Sequence, residues 1–525
     1  HHRLHLGQSV TNLSRRSVLK AIALTPALAH ARGLVTDSTY LAVVSATLEA
    51  AKKAGASYAD LRIHRRREEG VWVRDDHVEA LNDAERFGLG VRVLVNGAWG
   101  FASSPVVAVN EGIRLAQSAC ALAKANAAVL TKKVELAPNP AHVDVWQTPL
   151  QKDPFKIPVA DKAELLLAVS ERLRAVKGIS FCEVSVSCRL EWKLYANSEG
   201  ALIEQSQTRI GPDYNATAID EKSGEFVSRG WDGQGMQAGW ELLEQSRFLE
   251  DATRVAEEAV QKLKSPAVTP GKKDLILDPT NLWLTIHESV GHPTELDRAL
   301  GYEANFAGTS FATPDTLGSQ YAAPIVTLYA DKTTPGGLAT CGYDDDGVRT
   351  QRWNLVEKGK FVGYQTTREQ AAWIGEKASR GCSYAQDHSS GPFQRMPNVS
   401  LAPGEKDLGV QDLIKATDDG IYVVGTGSWS IDHQRYNFQF TGQMFHEVKK
   451  GKIVGTLKDV GYQSNTPTFW KSCDLLGGPS TFRIGSAFDD GKGEPGQSNP
   501  VSHGCPVARF RGVNVINTRA KKEGA

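Results

Sequence analysis

Leu275-Ile276-Leu277-Asp278-Pro279-Thr280-Asn281-Leu282-Trp283-Leu284-Thr285-Ile286-His287-Glu288-Ser289-Val290-Gly291-His292 is the stretch that organises the chain. The apolar opening reads as a strand, and Asp278-Pro279 reads as a helix start with proline in the first turn. The helix that follows is apolar until it reaches two histidines and a glutamate. Imidazole is the commonest zinc ligand, and a glutamate beside it can take a proton from metal-bound water.

The spacing sets a condition. Five residues of regular helix place two side chains about 140° apart at ~3.6 residues per turn. His287 and His292 can therefore share one ion only if the helix widens or breaks between them. Gly291 suits such a break because it lacks a Cβ, and a single π-turn is a known device for one. The plainer alternative is one buried and one surface histidine beside an incidental glutamate. Titratable groups inside an apolar helix are costly without partners, which favours a site.

Outward from this segment, residues 272 onward are rich in Gly, Thr and short β-like runs, as at 325–329, 421–424, 437–440 and 453–460. The helix carrying His287 is the clearest one there. Upstream, 161–177 and 250–264 read as helices around alternating strands over 179–218. Residues 137–158 hold five prolines and little periodicity, which predicts a linker. Before it, helices are expected at 41–54 and 110–128, strands at 58–65 and 70–74, and a hairpin turning at Asn96-Gly97. The expected architecture is α+β: an N-terminal α/β sandwich-like domain over 36–136, a linker over 137–160, a middle α+β domain over 161–270, and a C-terminal β-rich domain over 271–525 carrying the metal-site helix.

Sixty basic residues balance sixty acidic ones, so no net charge draws the chain toward nucleic acid or anionic lipid. No P-loop or G-x-S-x-G elbow occurs. Seven scattered cysteines do not form a disulfide framework and read as buried thiols. Residues 1–35 read as an export signal: Ser14-Arg15-Arg16-Ser17-Val18-Leu19-Lys20, a short apolar run, then small-x-small sites at Ala27-Leu28-Ala29 and Ala29-His30-Ala31. The paired arginines resemble the twin-arginine type, which predicts a periplasmic or extracytoplasmic protein, with no membrane segment in the mature form. Asp344-Asp345-Asp346-Gly347 reads as a hairpin turn rather than a calcium loop. His388, His433 and His446 are further candidates to assist a tetrahedral intermediate.

The His287-Glu288-x-x-x-His292 segment with its strand and Asp-Pro lead-in resembles the TldD/PmbA family of metallopeptidases. So do Asn197-Ser198-Glu199-Gly200, Tyr343 to Gly347 with 357–364, Arg395-Met396-Pro397-Asn398, 449–455, and Gly496-Gln497-Ser498-Asn499-Pro500-Val501. The resemblance implies a zinc peptidase acting on extended or unfolded peptides. His287 and His292 would be ligands, Glu288 the catalytic base, and a third ligand would come late in the chain. The family's cysteine at that point is absent, and Asp490 stands in its place within Asp489-Asp490-Gly491-Lys492. Cys505 and His503 are rival third ligands, with Asp489 behind them. Glu295 and Asp297 are either orienting groups for a ligand imidazole or solvated acids. The resemblance also implies a homodimer, or a heterodimer with a PmbA-like chain. The competing readings are a non-catalytic scaffold of the same family and a metal-dependent hydrolase of a non-peptide.

Overall fold

The computed structural model describes residues 37–519 of the 525-residue chain. The export-signal reading of 1–35 lies outside the described residues, apart from which no helix among them is long and apolar enough to cross a membrane.

Two long strands, Tyr58–Arg74 (β1) and His77–Val95 (β2), open the first sheet. The segments expected at 58–65 and 70–74 are one continuous strand. Asn96 and Gly97 take φ of 54° and 82°, and return the chain into Ala98–Ser104 (β3) as the Asn-Gly pair predicts. Val143–Gln147 (β4), Ile179–Asn197 (β5), Leu202–Ile219 (β6) and Phe226–Gly230 (β7) complete it in the order β3-β2-β1-β5-β6-β4, with β7 also on β6. The sheet thus takes strands from both the 36–136 and 161–270 segments. Part of the expected linker is itself β4, running parallel to β6. Its prolines lie outside those five residues, so composition hid a strand that pairing with β6 supplies.

One face of this sheet carries Leu61, Ile63, Val91 and Val93 against helices Ser38–Lys53 (α1) and Val109–Ala127 (α2). Further along the same sheet, Val184, Val186, Ile210 and Tyr214 pack under Val159–Arg174 (α3) and Ala252–Lys264 (α4). Strand side chains alternate between faces. The other face therefore presents Asp60, Arg62, His64 and Arg66, all buried. The C-terminal region covers them.

The turn at Asp344–Asp346 is what that charged face meets. It is a turn, as expected, closed by a bridge between Tyr343 and Arg349. Its acids are buried rather than solvated, however. Asp346 pairs with Arg92 at 2.7 Å, Asp345 with Lys193 at 2.8 Å, and Asp344 accepts from the Val348 and Ser383 amides at 2.8 and 3.0 Å. Buried charges persist only when paired in this way.

In the C-terminal region, Gly271–Leu277 (β8) pairs with Asp419–Ile431 and with Ala508–Asn517, and those strands connect through Val460–Asn465 and Asn437–Lys449 into a closed ring. Helix Pro279–Ile286 (α5) follows β8 at once. Asp278 caps it by accepting from the Thr280 amide at 3.0 Å. A helix apolar all round must be buried all round, and residues 281–286 are. The polar Asn281 is satisfied by the Gly425 and Thr441 carbonyls at 2.8 and 3.0 Å. All seven cysteines are buried and free.

Candidate metal centre

At its C-terminal end α5 widens. His287–Gly291 form a π-turn, and the His292 amide donates to the His287 carbonyl five residues back. The extra residue turns His292 under His287, and the ring centroids lie 4.6 Å apart. Gly291 keeps helical angles (φ −55°, ψ −64°), so its role is space rather than conformational freedom. A Cβ there would fall 2.5 Å from Sδ of the buried Met396.

The third group comes from the strand Arg483–Lys492, paired with Gln497–Cys505. Asp490 Oδ1 lies 3.5 Å from His287 Nε2 and 3.4 Å from His292 Nε2, and one ligand atom from each residue fits within 4.8 Å of the others. All three side chains are buried. Arg395 holds the other oxygen, Oδ2, at 3.2 Å and also donates to the Asp490 carbonyl.

Hydrogen bonds behind the cluster decide which way each imidazole faces. His503 Nδ1 donates to the Val399 carbonyl at 2.9 Å, which leaves its Nε2 to accept from His287 Nδ1 at 2.8 Å. Burial holds His503 well below the ordinary histidine range and so neutral. On the other side, His292 Nδ1 donates to Glu295 at 2.9 Å. Both Nε2 lone pairs therefore converge on the Asp490 carboxylate, and three acceptors face one point without a donor among them. That set repels itself unless a proton or a cation sits between. Four-coordinate zinc with ligand bonds of ~2.0–2.1 Å separates neighbouring donors by roughly 3.3 Å, close to the two distances from Asp490 to the histidines. The donor set fits a divalent metal.

The titration of the cluster shows the same demand for positive charge at that point. Burial opposes charge on His287, but hydrogen bonding to Asp490 overcomes it and raises the pKa. Burial first, and then the charge of Arg435, pushes His292 down to about 4. Asp490 is held well below the carboxylate range: burial opposes this, and the charges of His292 and His287 outweigh it.

The rival ligands are placed elsewhere. His503 backs His287, the Cys505 thiol points to the Pro279 carbonyl at 3.7 Å, and Asp489 is engaged by Arg189 at 3.0 Å. Glu295 is fully buried and contacts His292, Arg298 at 3.2 Å and Lys492 at 3.2 Å. Lys492 also reaches Asp297 at 2.8 Å and Glu303 at 3.4 Å. Glu288, next to His287 on the π-turn, is buried and bound through Oε2 to Arg435 Nη1 at 2.5 Å. His446 stacks on Tyr422, and His388 packs over Gly88 of β2. His433 gives its carbonyl to the Thr309 amide.

Sequence reasoning did not find Arg435, Lys492 or Arg395. The latter two stand inside quoted motifs, Asp489 to Lys492 and Arg395 to Asn398, but their partners are remote in sequence. Arg435 gave no signal at all, being one residue of an irregular loop.

A buried cluster of two imidazoles and a carboxylate, with a glutamate beside it, is a donor set that could hold a metal ion. The comparisons with known proteins then give the family. Residues 59–123, 152–265 and 270–517 match the PmbA/TldA metallopeptidase domain 1, central domain and C-terminal domain. A metalloprotease of Methanothermobacter thermautotrophicus is 30% identical over 482 residues, covering 92% of this chain and 99% of the relative. The chain belongs to the PmbA/TldD family of metallopeptidases. A zinc metalloprotease TldD homologue of Saccharolobus solfataricus is 21% identical over 89% of this chain and 98% of its own. In fold, the chain matches a Thermotoga maritima protein described as a candidate modulator of a DNA gyrase, with TM-score 0.72 and 17% identity, covering 91% of this chain and all (100%) of that one.

Proposed function

We propose that the protein is a zinc peptidase that hydrolyses peptide bonds in extended or unfolded peptides. His287, His292 and Asp490 would be its metal ligands and Glu288 its general base. The observation that carries this reading is the convergence of three lone-pair donors, backed by Glu295 and His503, beside an ionisable glutamate. The naming of the Saccharolobus relative supports zinc in particular. When bound, the metal supplies Lewis-acid polarisation of the scissile carbonyl and acidification of a nearby water.

The protein's own groups do the remaining work. Glu288 takes a proton from the attacking water as that oxygen bonds to the carbonyl carbon and the C=O electron pair moves onto oxygen. Collapse re-forms the carbonyl and breaks the C–N bond, and Glu288 passes its proton to the departing amine. Glu295 and His503 keep each imidazole in the tautomer that points Nε2 inward. Export through the twin-arginine signal and assembly as a dimer are proposed alongside. The first predicts that Arg15/Arg16→Lys leaves precursor in the cytoplasm.

The test compares wild type with Glu288→Gln on a library of unstructured peptides, with zinc measured in both. The variant should keep its zinc and lose cleavage by at least ~10²-fold, the lower range for a general base. Retained cleavage would remove Glu288 from the role. A folded wild type that takes up no zinc would favour a non-catalytic scaffold.

A further inference from the structure

The loop joining Asp419–Ile431 to Asn437–Lys449 delivers Arg435 to the metal centre, and the loop is tightly fastened. Asp432 accepts from the Tyr436 and Asn437 amides at 2.8 and 2.9 Å. The Arg435 amide donates to the Asp432 carbonyl at 2.9 Å, and its own carbonyl accepts from Thr466 Oγ1 at 2.8 Å. The Thr309 and Phe311 amides pin the carbonyls of His433 and Gln434, each at 2.9 Å. Arg435 itself takes φ of +60°, a left-handed backbone for a residue with a Cβ. Such a conformation persists where the surroundings enforce it, often at functional sites.

The guanidinium so placed is under-used. Nη1 is bound to Glu288, but Nε is buried with no hydrogen-bond partner, although the side chain is only 14% exposed. A buried donor left unpaired costs stability and points to a missing partner.

We propose that Arg435 is a catalytic residue: Nη1 fixes Glu288, and the remaining N–H groups receive the oxygen of the scissile peptide as it gains charge. This rests on the peptidase reading. The charges balance through the step. While Glu288 is ionised it neutralises Arg435; as Glu288 accepts the proton of the attacking water, Arg435 loses its counter-charge and the substrate oxygen becomes negative. A preorganised donor in a water-poor site is worth most at that moment.

The experiment is calorimetric binding of two matched peptides to zinc-loaded protein, one with a phosphinate in place of the scissile amide and one with an uncharged ketomethylene group (–CO–CH2–) in its place. The phosphinate mimics the tetrahedral, anionic state. Wild type should prefer it, and Arg435→Gln should lose that preference by about 10²–10³-fold, the range for removing one such donor. Its zinc content should stay unchanged, and its ketone affinity should fall far less than its phosphinate affinity. Arg435→Lys, which keeps the charge but cannot serve two partners in a fork, should fall between and guards against a folding defect in the first variant. A zinc-loaded Arg435→Gln with wild-type preference for the phosphinate overturns the role of Arg435 alone. A wild type that binds no zinc overturns the peptidase reading and this role with it, and the zinc measurement tells the two failures apart.

Discussion

Glu295 lies behind the candidate metal centre, where it can fix the orientation of His292. Its carboxylate is buried, accepts from His292 Nδ1, and is counterbalanced by Arg298 and Lys492. Against the opposing effect of burial, Lys492, the contact with His292 and then Arg298 hold it well below the usual carboxylate range. Glu295→Gln should weaken zinc binding by about 10–100-fold, the usual loss for a partner of a ligand histidine. Competition with a chelator of known affinity measures it, and an unchanged affinity would make Glu295 purely structural. His287, Glu288, His292 and Asp490 stand out in the sequence through motif and family likeness, and the fold brings His287, His292 and Asp490 together. Arg435 does not stand out, because nothing local distinguishes an arginine in a loop until the tertiary fold brings it to Glu288.

Among elements, the π-turn was readable as a requirement. The five-residue spacing cannot work on a regular helix, and the inserted residue is what lets His287 and His292 face one point. The reason for Gly291 was only half legible. It is needed because Met396 occupies the space of a side chain, and Met396 lies over a hundred residues away in sequence. Gly291→Ala should therefore cost about 1–3 kcal/mol through overpacking. Combined with Met396→Ala, the loss should be smaller than the sum of the two single losses, since the sites touch. Urea unfolding of the four proteins checks this; strict additivity would place the strain elsewhere. The Asn96-Gly97 hairpin was readable outright from turn chemistry. β4 was not, because a five-residue strand among prolines owes its existence to β6.

At the scale of the whole molecule, the surprise is the charged layer between the first sheet and the C-terminal region. Alternation in β1 identified a strand with one apolar face, but the sequence offered no sign that the polar face is buried too. That fact depends on Asp344, Asp345 and Asp346 arriving from nearly three hundred residues downstream. Asp345→Ala would leave Lys193 buried with the Ala385 carbonyl at 2.8 Å, and should cost about 3–5 kcal/mol. A loss under 1 kcal/mol in chemical denaturation would show that water enters the layer. In the same layer His64 is 1% exposed with both ring nitrogens unpaired, and burial, then Lys193, depresses its pKa to about 3. The unfolded chain takes up this proton near pH 6.5 and the folded one does not. The contribution of His64 to stability is thus complete above pH 6.5 and is lost as pH falls toward 3. Stability measured between pH 7.5 and 4.5 should decline, and His64→Phe should flatten that slope; an identical slope would exclude His64 as its source.

The central claim is a metal held by two imidazoles and a carboxylate, with the family's cysteine replaced by Asp490. X-ray absorption at the zinc K-edge on the zinc-loaded protein tests it most directly. The account predicts a first shell of nitrogen and oxygen alone at ~2.0–2.1 Å, with the outer-shell pattern of two histidines. A sulfur at ~2.3 Å would move the third ligand to a cysteine such as Cys505 and contradict the assignment of Asp490.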